Sequence, residues 1–139
     1  MMSDCIFCKI VKGELPCVKV YETEKVLAFL DLNPVNQGHA LVIPKEHFEN
    51  LSSTTDEFLS ELIVVSKKIG AAVLAATGSV AFNLTVNNGK EAGQVVAHTH
   101  FHIIPRFNGD GLRLWSGKAY AAGEMEAMGE KIKQYVEKN

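Results

Sequence analysis

Cysteine, proline, tryptophan and net charge are all scarce in this chain. It has three cysteines, four prolines and one tryptophan in 139 residues, and 14 basic against 16 acidic side chains leave a formal net charge of -2. An odd, small number of cysteines does not make a disulfide framework. A near-neutral chain offers no electrostatic case for non-specific nucleic-acid binding. No apolar run approaches the ~20 residues that a bilayer span needs, so neither nucleic acid nor a membrane is an expected partner. The start, "MMSDCIFCKI", has neither the charged region nor the long apolar stretch of a signal peptide, and the cytoplasm is the expected compartment. Repeats, linkers and low-complexity segments are also missing. What remains is a chain that is 47% hydrophobic, enough for one globular domain over residues 1–139.

Periodicity predicts the elements. A short helical turn is expected over Cys5–Lys12, stopped by Gly13. "CVKVYE" and "KVLAFLD" read as a hairpin, "NPVNQG" as a loop, and "HALVIP" as a strand ended by its proline. Thr54-Thr55-Asp56-Glu57 fits a capping box, and Phe58, Leu62, Val65, Ile69, Val73 and Ala76 repeat at helical spacing up to Gly78. Val80–Asn87 and Ala97–Pro105 read as two further strands flanking a glycine-rich loop, and the tail from Glu124 as a helix. Strands gathered around one long helix indicate an α+β fold with a five-stranded, mainly antiparallel sheet.

Two motifs carry chemistry. Cys5-x-x-Cys8 is half of a tetrahedral zinc site. There is no second CxxC, so imidazoles must complete it. His47 stands apart in "PKEHF", and His98 opens "HTHFHII". Cys5, Cys8, His47 and His98 are therefore the expected ligands of one structural zinc per chain. A redox pair or an incidental pair near the terminus is the alternative, although no thioredoxin-like βαβ pattern surrounds it. Cys17 reads as a core residue.

In "HTHFHII", His98, His100 and His102 alternate as on one face of a strand. Alternate strand residues lie roughly 6.6 Å apart, so the outer rings cannot both reach an ion that holds nitrogen at about 2.0–2.1 Å. The row must divide its labour. With His98 on the metal, His100 and His102 stay adjacent, and His39 begins another strand. One neutral imidazole can attack a phosphorus while its neighbour donates a hydrogen bond or proton, and an unperturbed pKa near 6.5 keeps a lone pair free at neutral pH. "NNGKEAGQ" offers asparagine side chains and a backbone that can approach a phosphate, though it is not a Walker A loop. The competing reading makes the H-x-H pair a catalytic zinc centre and leaves Cys5 and Cys8 without partners.

"HTHFHII" resembles the signature of the histidine triad (HIT) family. "CIFCKIVKGELP", "VLAFLDLNPVNQGHALVIPKEHF" and "NNGKEAGQVVAHTHFHIIPR" extend the likeness to the Hint-like branch, especially the bacterial Hit proteins, over residues 5 to 106. The resemblance implies a HIT fold with a C-terminal helix. It implies a nucleotide hydrolase or transferase acting on nucleoside phosphoramidates or related purine nucleotide conjugates through a covalent nucleotidyl-histidine on His100. His102 and His39 would hydrogen-bond around phosphate and leaving group. Asn87, Gly93, Gln94 and the position of Val95 would meet phosphate, and Asp31 the ribose hydroxyls. Ile6, Phe7, Ile10, Phe29, Leu32 and Leu41 match the base pocket, where a plain core role is the alternative. Distantly related galactose-1-phosphate uridylyltransferases also hold zinc through a CxxC, an isolated histidine and the first histidine of their motif. Homodimers with a joined ten-stranded sheet are the family's habit. One departure stands out: Val95 occupies a place usually held by Ser or Thr, which removes a hydroxyl donor to the phosphate. A dinucleoside polyphosphate hydrolase and a zinc-stabilised nucleotide-binding module with little turnover are the rival functions.

Overall fold

The structure is a computed structural model and describes residues 4–136 and Lys138. Its first helix, α1 (Ile6–Val11), begins where Cys5 Sγ accepts the Cys8 N–H at 3.4 Å. A one-turn helix capped by a thiol presents Cys5 and Cys8 on the same side, facing inward, and both are buried. Three strands follow, β1 (Lys19–Glu22), β2 (Val26–Leu30) and β3 (Ala40–Pro44), then a 3-10 turn at Leu51–Ser53 and the long helix α2 (Asp56–Thr77). The chain closes with β4 (Ala81–Thr85), β5 (Phe101–Arg106) and α3 (Glu124–Val136). All strand pairs are antiparallel, in the order β1-β2-β3-β5-β4. This is the α+β architecture expected, with β5 inserted between β3 and β4.

Strands β2 and β3 are buried on both faces, which is why "VLAFL" and "ALVIP" are continuous apolar runs and not alternating ones. On one face, Val26, Ala28, Ala40, Val42, Phe101 and Ile103 pack against Leu62, Val65, Ile69 and Val73 of α2. Each large aliphatic side chain fully buried there contributes roughly 1.5–3 kcal/mol. On the other face, Leu27, Phe29, Leu41 and Ile43 meet Cys5, Phe7 and Cys8 of the N-terminal turn. Gly70 lets α2 approach β4, since a Cβ there would lie 2.6 Å from the Phe82 ring.

Apart from strands shorter than expected (β1 starts at Lys19 and not Cys17, and β4 spans Ala81–Thr85 and not Val80–Asn87), three features differ from expectation. Thr55, not Thr54, caps α2, accepting from the Phe58 N–H, because the Thr54 hydroxyl is bound to the Asn50 carbonyl and to Thr99 Oγ1 at 2.7 Å. The apolar stripe of α2 ends at Val73, and Ala76 is exposed. Most consequential, β5 starts at Phe101, so His98 and His100 precede the strand instead of lying on it. Pro44 explains this: a residue without an N–H cannot continue the β3 ladder, and its carbonyl is bound by the His98 side chain. Thr99 is held sideways, its N–H on the Phe48 carbonyl at 2.8 Å.

After β5 the chain becomes exposed. Leu114, Trp115 and Tyr120 lie on the surface, and α3 buries nothing, with Met125, Met128, Ile132 and Tyr135 on an exposed apolar stripe. Among the described residues no helix is long and apolar enough to cross a membrane.

Candidate active site and metal centre

Departure from the strand gives each histidine of the row its own surroundings. His98 is fully buried, and its Nε2 lies 2.9 Å from the Pro44 carbonyl. A carbonyl only accepts, so Nε2 carries the proton and the Nδ1 lone pair points the other way. There it meets Cys5 Sγ at 3.4 Å, Cys8 Sγ at 3.6 Å and His47 Nδ1 at 3.2 Å, while Cys8 Sγ lies 3.3 Å from His47 Nδ1. Ligands of a tetrahedral zinc, at about 2.3 Å for sulfur and 2.0–2.1 Å for nitrogen, stand ~3.5 Å apart as S···N pairs and ~3.3 Å apart as N···N pairs. The observed spacings match. All four ligand atoms lie within 4.8 Å of one another, and they are the four chosen from the sequence. The donor set therefore fits a metal ion.

Electrostatics at the cluster pull in two directions. Burial, then the neighbouring Cys5, pushes the Cys8 thiol up to about 11, and burial lowers His98 to about 4. A bound cation would oppose this by stabilising the thiolate, while the neutral imidazole is already the ligand form. An open cavity of about 450 Å³ flanks the cluster, lined by Ile6, His47, Glu49 and Val95 among others.

His100 is oriented by a different acceptor. Its Nδ1 lies 2.7 Å from the His98 carbonyl, so Nδ1 bears the proton and Nε2 is left with a free lone pair. The ring is held edge-on by Phe7 at 5.1 Å and by His102 at 4.9 Å between centroids. Burial lowers its pKa, which keeps the lone pair available at neutral pH.

His39 and His102 form a pair with a defined proton order. The Val35 N–H donates to His39 Nδ1 at 3.1 Å, and an N–H can only donate. His39 must then carry its proton on Nε2, which faces His102 Nδ1 at 3.0 Å. His102 in turn accepts at Nδ1 and holds its own proton on Nε2. Burial, then the nearby His100 and His39, lowers His102 to about 4, and burial lowers His39, with Asp31 opposing. Asp31 Oδ2 stands 3.6 Å from His39 Nε2. Asp31, His39 and His102 also form a geometrically possible metal triad. Their tautomers argue against it, because His39 Nε2 has no lone pair to give while Nδ1 accepts from Val35. The donors of the first cluster fit a cation, whereas the corresponding nitrogen of the second already carries a proton.

The remaining expected contacts divide by burial. Phe7, Phe29 and Leu41 lie in the core beneath the histidines, whereas Ile6 and Leu32 are exposed and Ile10 is half-buried. Asn87 lies beside Gly93, whose Cβ position is 3.6 Å from Asn87 Nδ2. The Gln94 side chain is committed to the loop itself: Oε1 accepts from Gly89 N–H, and Nε2 donates to the Glu49 and Val96 carbonyls at 2.7 and 2.9 Å. Gln94 thus shapes the loop. Val95 is 92% exposed. Sequence reasoning passed over the Val35 N–H and the Pro44 and His98 carbonyls, because backbone groups carry no side-chain signature.

Fold and site together define a class: an α+β protein with histidines of fixed tautomer beside a Cys2His2 cluster. The chain belongs to the HIT family, whose model, described as "HIT domain", matches residues 12–109. It is 45% identical over 134 residues to adenosine 5'-monophosphoramidase hnt1 of Schizosaccharomyces pombe, covering 95% of this chain and 98% of that one. Adenylylsulfatase HINT3 of Arabidopsis thaliana is 46% identical over 119 residues, 86% of this chain but 59% of that protein's length. The crystal structure of a Zn-bound histidine triad family protein from Mycobacterium smegmatis superposes with a TM-score of 0.77 at 37% identity, covering 86% of each chain.

Proposed function

We propose that the protein is a nucleotide hydrolase that attacks the α-phosphate of nucleoside phosphoramidates, or related conjugates of a purine nucleotide, through His100. The observation that carries this reading is the His100 tautomer: Nδ1–H is tied to the His98 carbonyl, leaving Nε2 bare on a ring whose centroid lies 4.9 Å from that of His102, which holds its proton on Nε2. The Nε2 lone pair forms a bond to phosphorus, and the P–N bond to the amine breaks. The amine leaves with a proton delivered through His102. Water then attacks the phosphorus, the P–His100 bond breaks, and a proton returns to the His102 side as the monophosphate departs. One water is consumed and one amine released. The phosphoramidase activity named for the S. pombe relative supports the substrate class.

Asp31 is assigned the ribose hydroxyls, Asn87 and the Gly93–Val95 backbone the phosphate, and Ile6, Ile10 and Leu32 the accessible wall for the base, with Phe7, Phe29 and Leu41 beneath it. Cys5, Cys8, His47 and His98 are assigned one zinc per chain, which supplies no chemistry and anchors His98, whose carbonyl orients His100. The free thiols suit a reducing compartment such as the cytoplasm. A homodimer is supported by the open edge of β4 and by Ile63, Val64 and Leu84, which are 47%, 64% and 39% exposed around it. The test is hydrolysis of AMP-amidate, AMP–amine conjugates and dinucleoside polyphosphates by zinc-loaded protein. AMP release from the amidates is expected, and saturable nucleotide binding without turnover of any of the three would leave only the binding-module reading.

A further inference from the structure

The proton order of the His39–His102 pair depends on one loop. Residues 31–39 join β2 to β3, and the Val35 N–H that holds His39 lies in the middle of it. Within the loop, the Asn33 N–H binds Asp31 Oδ1 at 2.8 Å, and the His39 N–H binds the Asn36 carbonyl at 3.0 Å. Neither ties the loop to another part of the fold. Asn36 does: its Nδ2 donates to the Pro105 carbonyl at 2.9 Å and to Asp110 Oδ2 at 3.1 Å.

Asp110 is itself a collecting point. Its side chain is 8% exposed and accepts from Arg106 Nε at 2.8 Å, Arg106 Nη2 at 3.1 Å, and the N–H groups of Phe107 and Leu112 at 3.1 Å each. Arg106 also donates from Nη1 to Asn83 Oδ1 on β4 at 2.8 Å and from Nη2 to the Leu112 carbonyl at 3.1 Å. A bidentate guanidinium with three further donors is far more ordering than a surface ion pair. Arg106, Ile104 and His102 are alternate residues of β5 and share its half-buried face. Gly38 adds a steric stop: with φ of +99° and a Cβ position 2.5 Å from Thr77 Cγ2, it seats the loop against the end of α2.

We infer that Asn36, Arg106 and Asp110 are positioning residues that hold residues 31–39 so that the Val35 N–H fixes the His39 tautomer and, through it, the proton on His102 Nε2. They touch no reacting atom. Loosening them frees the His39 ring to move its proton to Nδ1. Its Nε2 then becomes an acceptor toward His102 Nδ1, and His102 loses the Nε2 proton that faces the leaving group. This rests on the hydrolase reading above only for its consequence in turnover; the tautomer itself is observable without any substrate.

The experiment uses zinc-loaded, full-length protein as wild type, Asn36→Ala, Asn36→Asp and Asp110→Asn. Long-range 15N–1H correlation spectra of the histidine rings report which nitrogen is protonated, and AMP-amidate kinetics report kcat and KM. Wild type should display His39 and His102 as Nε2–H tautomers. Asn36→Asp, which faces an acceptor toward the Pro105 carbonyl and Asp110, should shift both rings toward the Nδ1–H form at least as far as Asn36→Ala does. In both, kcat should fall about three- to tenfold with KM within about twofold, as expected when one neutral hydrogen bond stops biasing a proton position. Asp110→Asn should behave alike; if it does not fold, the two Asn36 variants carry the test. Unchanged ring tautomers in folded Asn36→Ala and Asn36→Asp would overturn the inference, whatever happens to melting temperature. Absence of turnover in wild type with the tautomer shift intact would overturn the hydrolase reading and leave the clamp standing.

Discussion

Separating the histidines of "HTHFHII" by alanine substitution puts the whole assignment at risk. His98 is fully buried, packed edge-on against Phe7 at 5.8 Å and His47 at 5.0 Å, and donates to the Pro44 carbonyl. Its removal empties a core site, at about 2–5 kcal/mol for a large-to-small change. It also strands a carbonyl, at about 1–3 kcal/mol. These overlap, and a total near 4 kcal/mol is reasonable before any metal is counted. At roughly 3 °C per kcal/mol for a chain of this size, melting should drop by about 12 °C, and further as zinc is lost. His100 is also buried and its Nδ1 is tied to the His98 carbonyl at 2.7 Å, but none of its own atoms belongs to the cluster of Cys5, Cys8, His47 and His98. His100→Ala should cost about 2–4 kcal/mol, since it too empties a buried site and strands a carbonyl, but should keep its zinc and lose at least about a thousandfold in turnover, as for removal of a covalent nucleophile. His102→Ala should be folded, metallated and slow. Zinc content, melting temperature and AMP-amidate hydrolysis of the three variants are the assay. If His100→Ala sheds zinc while His98→Ala retains it, or if His100→Ala keeps wild-type turnover, the reasoning from tautomers is wrong.

Acid should destabilise the fold through His102. Its folded pKa of about 4 lies below the ordinary 6.5, so protons favour the unfolded chain between those values. The contribution, on the order of 2 kcal/mol after allowing for partial exposure, is fully present above pH 6.5 and lost as pH falls to about 4. Urea midpoints at pH 7, 5 and 4 measure it, and His102→Gln should make the profile shallower without flattening it, because burial also lowers His98, His100 and His39. Light scattering should return about 30 kDa, twice the 15.2 kDa chain, and Ile63→Asp with Val64→Asp should halve it; a wild-type monomer at micromolar concentration would refute the dimer. Val95→Ser should restore a hydroxyl donor and raise kcat/KM about two- to tenfold, read directly in amidate hydrolysis; an unchanged value would mean that this side chain does not reach the phosphate.

What the sequence determined by itself was whatever is written in side-chain chemistry and period. The continuous apolar runs of β2 and β3, the 3–4 repeat of α2 and the donor set Cys5, Cys8, His47 and His98 all follow from residue types at stated spacings. That set was legible because Cys5-x-x-Cys8 is half of a tetrahedral site and His98 is the member of the row whose use leaves His100 and His102 together. Tertiary structure decided the rest. A strand was the natural reading of alternating histidines, yet Pro44, a residue of β3, removes the N–H that would have paired there, and the row leaves the sheet before Phe101. That departure is what turns His98 toward the thiols. The proton on each ring is set by the Pro44 and His98 carbonyls and the Val35 N–H, main-chain groups that no composition reveals. Asn36, Arg106 and Asp110 are ordinary polar residues in loops and at a strand end until the fold brings "NPVNQG" against the end of β5. Local periodicity encodes which face a side chain takes; which backbone group meets it at a separation of 54 positions, as His98 meets Pro44, is a property of the folded sheet alone.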